Sequence, residues 1–149
     1  AAPVVAGSAA DKGKALFAAK SCVMCHNVGG HFGNGAFGPD LTHLASRKSL
    51  AGAWLDNRDL AAQRALERKN DNTESSVEVD RATLKANLIK WIGSSGTSHG
   101  ADGKLTKDVK PGNRMHYYKM FNVAGLNETK QTFTAEELDY LAEYLLTLK

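Results

Sequence analysis

The chain holds two cysteines, and both lie in the stretch Ser21-Cys22-Val23-Met24-Cys25-His26. Two thiols three residues apart suit three kinds of chemistry: a redox dithiol, part of a zinc or iron–sulfur site, or covalent attachment of a haem. A zinc or iron–sulfur site needs further soft ligands, and there is no third cysteine. A redox dithiol normally follows a strand in an alternating βα pattern. Here the preceding residues, AADKGKALFAAK, read as a helix in which Ala15, Leu16 and Phe17 offer apolar surface among lysines. A disulfide across two intervening residues closes a loop too small to contribute much. Haem attachment uses all three residues at once. Cys22 and Cys25 give thioethers to the vinyl groups, and His26 becomes the proximal iron ligand.

A ligating imidazole needs an orienting partner. Gly38-Pro39-Asp40-Leu41 supplies a carbonyl at Pro39 that can accept the Nδ1 proton of His26, fixing the ring and raising its donor strength. The alternative is an ordinary Gly-Pro turn. For the opposite face of the iron, Met24 lies within the attachment loop and cannot easily cross over. Met115 follows the turn-forming Lys110-Pro111-Gly112-Asn113-Arg114, a stiff segment able to hold a thioether, and is the expected sixth ligand. Met120, His116, His43, His99 and a vacant position are the alternatives, with His31 close to the attachment loop. A thioether stabilises ferrous iron relative to a second histidine and, with both axial positions filled, leaves an electron-transfer site.

These groups must be positioned by helices. The C-terminal stretch has a capping box, Thr134 with Glu137, and a staple of Phe133 on Leu138, followed by Leu138, Leu141, Leu145 and Leu148 on one face with Tyr144 nearby. Two further helices are predicted at about 56–68 and about 81–92, the second using Leu84, Leu88, Ile89 and Ile92. NDNTESSVE reads as a polar connection and GSSGTSHGADGK as a loop. GGHFGNGAFG, residues 29–38, lacks the lysine and hydroxyl of a phosphate-binding loop. It reads as a glycine-rich strap that lets backbone approach the cofactor, with Phe32 or Phe37 covering an edge.

The 149 residues suit one domain with a real core: residues 1–8 as a stub or tether remnant and 9–149 as the folded unit. A formal charge of +3 is too slight and dispersed for nucleic-acid binding. No run of eighteen apolar residues is present to span a membrane. The start at Ala1, in AAPVVAGSAA, reads as a mature or excised terminus. Lys104, Lys107, Lys110, Arg114 and Lys119, set against Asp102 and Asp108, predict a locally positive rim that would steer an acidic redox partner.

The stretches GKALFAAKSCVMCH, GPDLTHLASRKSL, NLIKWI, VKPGNRM and FTAEELDYLAEYLLTLK resemble class I c-type cytochromes. They are most similar to the cytochrome c domain of subunit II of caa3-type haem–copper oxygen reductases (cytochrome c oxidases). The resemblance implies an all-α fold around one covalently attached haem c, with crossed terminal helices, Gly13 and Phe17 of the first packing on Leu141 and Tyr144 of the last. It implies His26 and Met115 as axial ligands and Arg47 and Trp91 as contacts to the propionates or haem edge. It also implies a donor, a cytochrome or small iron–sulfur protein, and an acceptor, the dinuclear copper region of subunit II. Both would sit at the extracytoplasmic, periplasmic side of the bacterial cytoplasmic membrane. No intrinsic catalysis is expected.

The chain departs from the family pattern at His116, where a proline usually follows the ligand methionine, and in inserts near 55–82, 94–107 and 116–131. Two other roles fit the same residues. A free-standing carrier for a dehydrogenase or reductase would differ in gene context, and a haem enzyme or gas sensor would keep its sixth position open.

Overall fold

The computed structural model describes residues 3–33, 35–68, 77–94 and 133–149. The first helix, α1 (Ala9–Ala19), starts where Ser8 stops the extended chain: its hydroxyl accepts from the Asp11 amide at 3.2 Å, and the Asp11 carboxylate accepts from the Gly7 amide at 2.9 Å. One of the amides that open a helix without partners is thereby satisfied, and the residue before the cap is tied back to the first turn. Alanines and lysines then propagate the helix.

Gly13 sits mid-helix, where glycine costs about 1 kcal/mol relative to alanine. Its place is explained by the last helix, α4 (Ala135–Leu145). A Cβ at Gly13 would run into the carbonyl group of Tyr140 and lie 2.8 Å from Cβ of Tyr144. One turn on, Phe17 is 2% exposed and meets the fully buried Tyr144, with ring centroids 5.5 Å apart at 60°. Positions 13 and 17 fall on one face of α1, and 140 and 144 on one face of α4. Of the expected partners Leu141 and Tyr144, Tyr144 is the one that both Gly13 and Phe17 meet.

The start of α4 is built as its sequence anticipates. Thr134 Oγ1 accepts from the Glu137 amide at 3.1 Å while Glu137 accepts from the Thr134 amide at 2.9 Å. Phe133 and Leu138 are both half-buried against the core. Leu141, Tyr144 and Leu145 face inward, and the chain past the helix still buries Leu146 and Leu148. The amide of Ala45 donates to the Leu148 carbonyl at 2.7 Å, so the C-terminal end is stitched to the middle of the chain.

The helix α3 (Arg81–Ser94) presents Leu84, Leu88 and Ile92 to the core at successive fourth positions. Its Lys85 reaches Asp139 at 2.7 Å and Glu143 at 2.8 Å on α4. The helix α2 (Leu60–Arg68) begins after Asp59, whose carboxylate accepts from the amides of Ala61 and Ala62.

Two features differ from the sequence reading. The helix expected from about residue 56 begins at Leu60, because residues 55–56 are the strand β2 (Leu55–Asp56), antiparallel to β1 (Ser49–Leu50). The hairpin turns through Ala51, Gly52 and Ala53, all with positive φ. Directly after it, Asn57 is fully buried, with both polar atoms of its side chain hydrogen-bonded. Its Nδ2 donates to the Arg47 carbonyl at 2.8 Å, and its Oδ1 accepts from Asn87 of α3 at 2.9 Å. Among the described residues no helix is long and apolar enough to cross a membrane.

Candidate functional site

After α1 the chain reverses at Ser21, whose φ of 61° is left-handed, and enters a 3-10 turn over Cys22–Met24. The Cys22 carbonyl accepts from the amides of both Cys25 (3.2 Å) and His26 (2.9 Å). With three residues per turn, positions 22 and 25 fall on the same side. Both cysteines are free and half-buried. The Cys22 thiol is pushed up to about 11, chiefly by burial, with the neighbouring Cys25 adding to it. A redox dithiol needs a depressed thiolate pKa, so this environment is the reverse of a reactive one. Among the described residues no three His, Cys, Asp or Glu side chains are grouped to hold a metal ion directly. The zinc reading therefore finds no ligand set among them.

His26 is 8% exposed. Its Nδ1 lies 2.9 Å from the Pro39 carbonyl oxygen, the contact anticipated from the Gly-Pro-Asp-Leu stretch. A carbonyl only accepts, so Nδ1 carries the proton, and Nε2 of the neutral ring keeps its lone pair for a metal. The strap that carries Pro39 lies against residues 25–29. The Gly38 amide donates to the Cys25 carbonyl and the Leu41 amide to the Asn27 carbonyl, both at 2.8 Å. The approach is so close that a Cβ at Gly38 would meet the His26 ring, and one at Gly35 would meet its backbone. The glycine-rich strap thus lets backbone approach His26 itself.

The remaining candidates divide. Phe32 stacks on Phe17 with centroids 5.7 Å apart and meets Tyr144 edge-on, whereas Phe37 is exposed. His31 has its Nδ1 3.0 Å from the Tyr144 hydroxyl. Burial raises the phenol to about 12 and lowers the imidazole, so both partners of this hydrogen bond are favoured in their neutral forms. His43 is exposed at the start of the 3-10 turn Leu44–Ser46. Arg47 donates through its guanidinium to the Asp40 carbonyl. Trp91 is half-buried on α3 against the core. Met115, Met120, His99, His116 and the basic rim of 102–119 lie outside the described residues.

Sequence reasoning did not single out Asn27, Asp40, Thr42 or Asn57. Asp40 was visible as the third residue of the Gly-Pro-Asp-Leu stretch, but a polar residue in a loop carries no signal of which partner it grips. Two free thiols on one side of a turn, followed by an imidazole with its Nε2 lone pair available, fit a covalently held haem.

A family model for cytochrome c matches residues 10–149. The helical architecture fits that family's fold. No curated protein and no solved structure matches the chain.

Proposed function

The chain belongs to the cytochrome c family, and from that premise we propose that it is the electron-transfer domain of a caa3-type oxygen reductase. On this reading it takes electrons from a donor cytochrome or small iron–sulfur protein and passes them to the dinuclear copper region of subunit II. Its place of action is the extracytoplasmic face of the bacterial cytoplasmic membrane. The family implies haem-based electron transfer and a covalent haem c. The finer assignment is supported by the likeness of LTHLASR and VKPGNRM to the oxidase branch.

When bound, the haem iron supplies the one-electron couple. Cys22 and Cys25 would hold the group through thioether bonds, and His26 would offer Nε2 to its iron. Pro39 keeps the His26 proton on Nδ1 and sets the ring angle. The apolar cluster of Phe17, Val28, Leu41, Leu44, Leu84, Leu88 and Tyr144 excludes water from the interior behind the site. On this reading Met115 would be the second protein ligand to the iron, and Arg47 and Trp91 would contact the haem. The observation that carries the haem-binding part of the proposal is the His26–Pro39 hydrogen bond beside two free thiols.

The test is optical. The reduced protein should give the spectrum of a thioether-linked haem, and the oxidised form the near-infrared sulfur-to-iron band. That band should vanish in Met115→Ala and survive in Met120→Ala. Its loss only in Met120→Ala would move the ligand, and its absence from the wild type would reject methionine ligation. Mixed with a soluble dinuclear-copper domain, the ferrous protein should be oxidised rapidly; no reaction would overturn the oxidase assignment.

A further inference from the structure

The Pro39 carbonyl can orient His26 only if the strap that carries it is itself fixed. Two backbone bonds, from Gly38 to Cys25 and from Leu41 to Asn27, frame Pro39, and neither is made by Pro39 or Asp40. Side chains close that gap. Asp40 has one carboxylate oxygen on Asn27 Nδ2 at 2.5 Å and the other on the Thr42 amide at 2.7 Å. Thr42 in turn accepts from the Gly29 amide at 2.8 Å through its hydroxyl. From the far side, the Arg47 guanidinium donates to the carbonyl of Asp40, one residue beyond the carbonyl that meets His26. Arg47 is anchored through its own carbonyl by the buried Asn57, and Asn57 by Asn87 of α3.

We infer that Asp40 and Asn27 are positioning residues: their amide–carboxylate grip, backed by Arg47, fixes the Pro39 carbonyl on Nδ1 of His26 and so sets how strongly His26 donates to iron. The inference rests on His26 being the proximal ligand. Hydrogen bonds from Thr42 and Asn27 hold the Asp40 carboxyl down to about 2, so the grip is ionised throughout the neutral range. A charge-assisted bond of this kind is shorter and more directional than a neutral one. An outer partner of a ligating histidine raises ligand basicity, which favours the ferric state.

The experiment uses the reduced and oxidised holoprotein. In the reduced form, hydrogen exchange at His26 Nδ1 is followed by NMR, and the reduction potential is measured alongside it. Asn27→Ala, which changes no charge, should speed that exchange by about tenfold, the weight of one hydrogen bond, and raise the potential. Asp40→Ala should do the same. The double exchange Asn27→Asp with Asp40→Asn restores an amide–carboxylate pair and keeps the net charge, so it should return both readings toward wild type. It also carries the test if Asp40→Ala fails to take up haem. Unchanged exchange and potential in Asn27→Ala, with only thermal stability lowered, would overturn the inference. So would a double exchange that behaves like Asp40→Ala. Failure of the underlying site reading shows itself separately: the wild type would then lack any His26 resonance shifted by the porphyrin ring.

Discussion

The seating of α1 on α4 and the folding of residues 38–42 onto 25–29 bring two chain segments into contact by opposite means. The helix pair is close because something is missing, the Cβ of Gly13, and because Phe17, Phe32 and Tyr144 fill the space beside it. The polar contacts between the two helices and their ends lie at the surface, as in Lys20–Glu137 at 2.9 Å, and such pairs are worth little. The strap is close because successive residues donate or accept across it, from Gly38 to Thr42. Dispersion and burial set a distance but not an angle, whereas a hydrogen bond sets both. The helix pair therefore holds the molecule together, and the strap aims a side chain.

The largest effect that could break this division is at Gly13. Gly13→Ala raises helix propensity, yet its Cβ has nowhere to go but into the Tyr140 carbonyl. Backbone cannot yield as a flexible side chain does, so overpacking here should cost about 3 kcal/mol of stability. The folded fraction should keep the wild-type iron spectrum. Denaturant unfolding of the holoprotein, followed at the haem and by circular dichroism, checks both halves.

Gly38→Ala should do the reverse. Its Cβ meets the His26 ring, so the imidazole turns or the strap lifts, and the bond to Pro39 is lost. The stability loss should be about 1 kcal/mol, the net value of a hydrogen bond, while the potential and the axial-ligand spectrum shift clearly. If Gly38→Ala proved the more destabilising and Gly13→Ala the more disturbing to the spectrum, the comparison would fail.

The two regions were also unequally legible. Helices announce themselves by period and by caps, so Thr134 with Glu137 and the spacing of Leu84, Leu88 and Ile92 are legible in the sequence. In the strap, the Pro39 contact was legible because a ligating histidine demands an acceptor. The grip around it was not, since Asn27 and Asp40 are thirteen residues apart with no period to link them. The hairpin at 49–56 escaped for a related reason. Its strands are two residues each, too short for alternation to register, and its left-handed turn uses two alanines rather than the usual Asn-Gly pair. Asn57 was hidden because a buried asparagine is made tolerable only by partners distant in sequence, here Arg47 and Asn87.

The smallest effects lie at the start of α4, where the helix pair does depend on charge. Lys20 first, and then the Thr134 amide, hold the Glu137 carboxyl below its ordinary range. A carboxyl whose folded pKa is depressed adds stability above its unfolded value of 4.5, and that stability is lost as pH falls through the folded value. Wild type should therefore exceed Glu137→Gln in stability at neutral pH, with the gap closing in acid. Thr134→Ala should cost about 1 kcal/mol by removing the hydroxyl from the Glu137 amide. A hydroxyl does not titrate in this range, so that loss should stay level as the pH is lowered. Thermal unfolding of the three proteins between neutral pH and the acid limb separates the two contributions. A Thr134→Ala loss that faded in acid together with that of Glu137→Gln would show the cap acting through the Glu137 charge. The helix pair would then share the charge-assisted bonding that the strap uses, and the division between burial and direction would hold only for its centre, at Gly13 and Tyr144.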